Sequence, residues 1–299
     1  MPDDKPSSPR ATIRRFAWIV VNVRDLERSR AFYERFTPLR DRGEFDVSDA
    51  SVFGVERGSF VAAVMRDDTG TTGCPVLLVQ WSNPPVTGTT YPSHTNPGYF
   101  RICFQHPDAG ALFAEVRAAR HEPLSPLRLP KPGRSTGRPV FSVRDPDGTV
   151  LEFLTFPGEP RLYHVNCNTA DLEGAHAFFG DTVGLECAVR STTTDLEEHS
   201  FGPGGDLATY DARLYRADDN PGGPPHLLLD VVESTFPGPV GHAYTAPTNA
   251  GIARVGVEVD DLGATPAATW ELGPLLGARR VAVLRSPDDV PFDLVERVS

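Results

Sequence analysis

Arginine and histidine carry the clearest chemical signals in this chain of 299 residues. Segments 96–101 (NPGYFR) and 249–254 (NAGIAR) share the pattern N-x-G-x-x-R, and each opens an apolar stretch. Arginine stays protonated in proteins and has no lone pair to offer a metal. Arg101 and Arg254 on such strands therefore suit pairing with carboxylates, either the protein's own or a ligand's. His164 lies in 162–168 (LYHVNCN), which alternates well enough for a half-buried strand. An imidazole with a carboxylate neighbour suits general acid–base work near neutral pH, the alternative being a satisfied structural histidine.

The elements that position these residues are written more than once. Residues 15–36 and 161–185 share a layout, with Asn22 where Asn168 sits, Asp25-Leu26-Glu27 where Asp171-Leu172-Glu173 sits, and Phe32-Tyr33 where Phe178-Phe179 sits. Each reads as a strand feeding an amphipathic helix, 26–36 and 172–179. Strands are expected near 51–55, 60–66 and 75–81 in the first half, and near 187–190, 208–216 and 226–232 in the second. Each N-x-G-x-x-R strand is expected to lead into a helix, 108–120 and 261–272. Each chain half then ends alike, with Asp145-Pro-Asp-Gly148 matched by Ser286-Pro-Asp-Asp289 as turn signals. Segments 82–97 and 236–251 are Pro-rich loops expected to border the site and to order on ligand binding. Residues 157–160 form a linker.

Composition agrees with two domains, 12–157 (modules 12–83 and 97–157) and 158–299 (modules 161–234 and 250–299), after a disordered tail at 1–11. No apolar run reaches membrane-spanning length and no secretion signal is evident, so the expected location is the cytoplasm. The net charge of −11 argues against nucleic-acid and acidic-membrane partners. Cys74, Cys103, Cys167 and Cys187 lack metal-type spacing and read as reduced thiols.

Paired β-α-β-β-β modules, the D-P-D-G-x-x-x-E-F run at 145–153 and the D-L-E helix openings resemble the vicinal oxygen chelate superfamily, which includes glyoxalase I, extradiol dioxygenases and bleomycin-resistance proteins. The resemblance implies an α+β fold of four βαβββ modules paired into two glyoxalase-like domains, each an open cup of mixed β-sheet with flanking helices. It also implies a divalent metal held by side chains from first and last strands. The matching positions are Trp18, Gln80, Arg101 and Glu152 in the first half, and His164, Asp230, Arg254 and Asp293 in the second. Most of these depart from the His or Glu of the family pattern. Arg101 facing Glu152, and Arg254 facing Asp293, would supply by ion pairing the positive charge that a metal otherwise brings. Trp18 shares a strand face with Val20 and Asn22, where it either packs in the core or stacks on an aromatic ligand. Asn22, Asn166, Asn168, Gln105 and Glu258 share the cup-facing parity.

The expectation is a metal-independent enzyme without cofactor, acting on a small aromatic or conjugated molecule by cyclisation, isomerisation or elimination. His164 and Asp230 are the catalytic candidates, placed in the second domain. Trp18, Asn22, Gln80, Arg101, Glu152, Asn168, Arg254 and Asp293 are candidate substrate contacts. One alternative is a glyoxalase- or dioxygenase-type enzyme holding Fe(II), Mn or Mg on His164, Asp230 and Asp293. The other is a drug-sequestering resistance protein. The expected partners are a small-molecule ligand and a second copy in a homodimer.

Overall fold

The computed structural model describes residues 12–67, 73–128, 139–198, 207–217 and 227–298. The tail expected at 1–11 lies outside them, as does His226 at the start of one expected strand. The first module holds β1 (Ile13–Asn22), α1 (Leu26–Phe36), β2 (Arg40–Val47), β3 (Ser59–Arg66) and β4 (Val76–Asn83). The second holds β5 (Gly98–His106), α2 (Ala109–Ala118), β6 (Val140–Arg144) and β7 (Val150–Thr155). The third holds β8 (Arg161–Asn168), α3 (Leu172–His176), β9 (Glu186–Glu198), β10 (Leu207–Arg216) and β11 (Leu228–Phe236). The fourth holds β12 (Gly251–Val259), β13 (Ala268–Glu271), α4 (Gly273–Leu276), β14 (Ala278–Arg285) and β15 (Pro291–Arg297). This is the expected α+β class of mixed sheets with flanking helices.

The module pairing differs from the sequence expectation of two consecutive cups. One sheet runs β13-β14-β15-β12-β1-β4-β3-β2, and the other runs β6-β7-β5-β8-β11-β10-β9. The first module thus shares a sheet with the fourth, and the second with the third. The joints are antiparallel, β1 on β12 and β5 on β8. Each cup therefore contains residues from both halves of the chain.

Local expectations fail where a breaker or a turn was misread. A helix at 261–272 is replaced by turns, β13 and the four-residue α4. Gly263 and Pro266 interrupt any helix there, and Thr269-Trp270 prefer a strand. The strand expected near 51–55 is a single 3₁₀ turn, Ser51–Phe53, and the actual partner of β3 is the polar, mostly exposed β2. The third-module helix continues from α3 as a π-helical segment, Ala177–Val183.

The two Pro-rich loops are bonded to each other. They cross one another between the sheets. Val240 N–H donates to Thr95 O at 3.0 Å, and Thr87 N–H to Thr248 O at 2.9 Å. Tyr91 and Tyr244, which occupy matching positions, stack with centroids 4.3 Å apart. Asn22 ties β1 to the same crossing, its Nδ2 donating to Pro247 O at 2.8 Å and Asn249 O at 2.7 Å.

The turn before β7 latches α1. Tyr33 Oη donates to Asp145 Oδ2 at 3.1 Å, and Ser29 Oγ to Asp147 Oδ2 at 3.0 Å. Asp145 Oδ1 also accepts the N–H groups of Asp147 and Thr149. Burial outweighs these donors and raises the Asp145 carboxyl from 3.8 to about 6. The folded state then holds this proton more tightly than the unfolded chain, so the group's contribution to stability falls as pH rises from about 4 to about 6. Asp145→Asn keeps the oxygen that accepts both N–H groups and removes the charge. It is expected to raise unfolding free energy at pH 7 by about 1–3 kcal/mol and to give no gain at pH 4, as urea titrations at the two pH values would show.

Candidate functional site

Four charged or titratable side chains meet in the cup shared by the second and third modules. Arg101 on β5 reaches Glu152 on β7, Nε to Oε2 at 3.0 Å, and Asp230 on β11, NH2 to Oδ2 at 3.0 Å. His164 on β8 lies beside both carboxylates, its Nε2 being 3.7 Å from Asp230 Oδ2 and 3.9 Å from Glu152 Oε2. Those separations are too long for hydrogen bonds, and among the described residues neither ring nitrogen has another partner. Strand parity explains the convergence. Cys103, two residues after Arg101, stands opposite both Glu152 and His164, and Asp230 is level with Asn166. All of these residues are buried.

Burial and charge pull against each other here. Desolvation works against the Arg101 charge, but Glu152 and Asp230 overcome it and raise the guanidinium above its ordinary value. Burial lowers the His164 imidazole below its usual value, with Arg101 adding to the effect and Asp230 and Glu152 opposing it. At neutral pH the ring is therefore an uncharged base. Burial, followed by Glu152, raises the Cys103 thiol far above its usual range.

The other cup has the same backbone and the opposite filling. Trp18 takes the place of His164, opposite Gly256, as His164 stands opposite Cys103. A Cβ at Gly256 would meet Trp18 Nε1 at 2.9 Å and Asp293 Cβ at 3.0 Å, so the missing side chain makes room for the indole. Trp18 stacks on Trp270 at 5.8 Å and donates from Nε1 to Asp293 Oδ2 at 3.0 Å. Arg254 pairs with Asp293 at 2.8 Å and lies over the rings of Phe53 and Trp270 at 5.2 and 5.1 Å. Burial raises the Asp293 carboxyl above its usual range, against the pull of Arg254 and the indole. Val20, Leu77, Val79, Phe60 and Trp81 complete this apolar cluster. By strand register, the polar cup has Asn166, Asp230, Val232, Tyr210 and Ser234 at those five places.

Several expected site residues are thus relocated. Gln80 is on the helix side of β4 beside Leu78, where its Oε1 accepts the Leu26 N–H at 2.7 Å at the start of α1. Glu233 does the same for Leu172 at 3.0 Å. The counterpart of Asp230 is Leu77, three positions before Gln80 and on the other face of the strand. Asn22 is consumed by the loop crossing and by Trp81 Nε1, which donates to its Oδ1 at 2.9 Å. Asn168 remains on the polar face with an unpartnered Nδ2. Gln105 and Glu258 bond at the sheet periphery, to the Pro157 carbonyl and to Arg15. Trp18, Arg254 and Asp293 belong to the filled cup, so Asp293 cannot join His164 and Asp230 around one metal. Cys103 was missed, although its place two residues after Arg101 was readable from strand parity.

The resemblance implies a divalent metal, and the donors can be tested for it. Cys103, Glu152 and His164 present ligand atoms within 4.8 Å of one another. They do not fit a divalent cation as arranged. The Arg101 guanidinium occupies Glu152 and Asp230 from within the cup and would repel the ion.

Residues 15–153 match the model of the Glyoxalase/Bleomycin resistance protein/Dioxygenase superfamily. Among solved structures, glyoxalase I from Zea mays is similar with a TM-score of 0.68 at 16% identity, over 94% of this chain and 92% of that one. A putative dioxygenase from Bacillus subtilis is similar with a TM-score of 0.57 at 11% identity, over 96% and 86%. No curated protein matches in sequence. Among the described residues no helix is long and apolar enough to cross a membrane. Residues 15–153 thus match a domain of the glyoxalase, bleomycin-resistance and dioxygenase superfamily, and the fold over nearly the whole chain is similar to that of glyoxalase I.

Proposed function

We propose that this chain is a metal-independent enzyme performing acid–base chemistry on a small molecule, in the class of isomerisation, cyclisation or elimination. One observation carries the reading: a buried imidazole whose nitrogens have no partner among the described residues, set beside two carboxylates that an arginine bridges. His164 accepts the substrate proton at Nε2. Asp230 and Glu152 then stabilise the imidazolium, and the proton is returned to another substrate atom. Arg101 pairs with both carboxylates and fixes them in place. The aromatic preference expected of the ligand loses its support, because the indole that suggested it packs inside the filled cup.

The experiment for this reading is metal analysis with a matched variant. Protein purified without chelators is expected to carry far less than one divalent metal per chain. Arg101→His removes the guanidinium and offers a fourth donor beside Glu152, His164 and Asp230, so it is expected to take up about one equivalent of Zn, Mn or Fe(II). Stoichiometric metal in the unaltered chain by mass spectrometry, lost in His164→Ala, would overturn the metal-independent reading.

A further inference from the structure

The cup-facing edge of β8 carries polar atoms with nothing to bond. Among the described residues, both ring nitrogens of His164, Oδ1 of Asn166 and Nδ2 of Asn168 lack partners, although these residues are 6%, 0% and 3% exposed. Buried polar atoms in folded proteins are nearly always paired, because an unpaired one forfeits its water for nothing. The filled cup supplies an internal control. Asn22, at the position of Asn168, satisfies its whole amide on Pro247, Asn249 and Trp81. Val20, at the position of Asn166, has nothing to satisfy. The same backbone therefore has an apolar or self-satisfied solution at these places, and the polar cup does not use it.

The charge of the cup narrows what could pair with this edge. Arg101 already serves two carboxylates, and His164 is uncharged at neutral pH. Arg101, Glu152 and Asp230 together leave the site net negative, with its guanidinium committed. An anionic group would meet repulsion from Glu152 and Asp230, with Arg101 already engaged by both. Building on the acid–base reading of this cup, we propose that its ligand is uncharged and carries a row of hydroxyl or amide groups along one edge, read by His164, Asn166 and Asn168. The three side chains alternate along one strand face, so the edge they read is up to about 13 Å long. Hydroxyls suit it because each can donate to a ring nitrogen or to Asn166 Oδ1 and can accept from Asn168 Nδ2.

Chlorogenate and its methyl ester are matched probes, sharing one polyhydroxylated skeleton and differing in the carboxylate. Isothermal titration of the full chain is expected to show the ester binding at least about tenfold more tightly than the acid. Asn168→Ala and Asn166→Val are each expected to weaken the ester about tenfold, with circular dichroism confirming that both variants are folded. Equal or tighter binding of the acid would overturn the proposal, as would ester affinity unchanged in both variants or no binding of either probe. His164→Gln separates this proposal from the acid–base reading, since glutamine keeps hydrogen-bonding capacity but cannot cycle a proton. Ester selectivity with turnover intact in that variant sinks the acid–base reading alone. Preference for the acid with turnover lost sinks the ligand proposal alone.

Discussion

His164→Ala is expected to lower kcat by roughly 10²–10⁴-fold, the usual contribution of a positioned acid–base group, while the thermal midpoint stays level or rises. The stability arm follows from the geometry. The ring makes no hydrogen bond in the folded protein, so its loss leaves no donor or acceptor newly stranded. The pH profile follows from the same burial. His164 must be unprotonated to act as base, and its value is lowered from 6.5. Activity in the unaltered chain is therefore expected to hold on the acid side of pH 6.5 and to fall only below that shifted value. Turnover unchanged in His164→Ala would move the chemistry elsewhere in the chain.

Trp18→Ala should act on stability instead. The indole is 2% exposed, stacks on Trp270 and donates to a fully buried carboxylate. Its removal is expected to cost about 3–5 kcal/mol, the range for deleting a large buried side chain, with the loss of one donor to Asp293 adding to it. Ligand affinity in the polar cup should change by less than about twofold in protein that remains folded. Chemical denaturation and titration of the same samples give both numbers. A Trp18→Ala protein of normal stability and impaired binding would show the filled cup to be a ligand site after all.

The internal repeat made most of the architecture readable. The helices expected at 26–36 and 108–120 are α1 and α2, each capped by an aspartate, Asp25 accepting the Arg28 N–H and Asp108 the Ala111 N–H. What repetition could not show was which module shares a sheet with which. The strand joints depend on β1 and β12 meeting across nearly the whole chain, and nothing local in either strand encodes that partner. The misplacement of Gln80 has a different cause. A strand changes face at every residue, so a shift of three positions exchanged a helix-capping amide for a cup-facing leucine. Applying the offset that relates Asn96 to Asn249 would have matched Gln80 to Glu233. Arg101, Glu152, His164 and Asp230 were legible as chemical types, and their meeting followed from the fold rather than from spacing.

The joint between β1 and β12 also bears on how the chain is made. A ribosome releases β1, with its apolar Phe16, Ile19 and Val21, long before the antiparallel partner that covers its free edge exists. The second and third modules, adjacent in sequence, can complete their own sheet first, nested within the unfinished outer one. Folding should then be slow and ordered from the inside out, as expected for pairings between distant segments, with an exposed strand edge during synthesis. A nascent chain truncated after residue 249 should engage holdase chaperones and aggregate when they are scarce, although it already contains every residue of the polar cup.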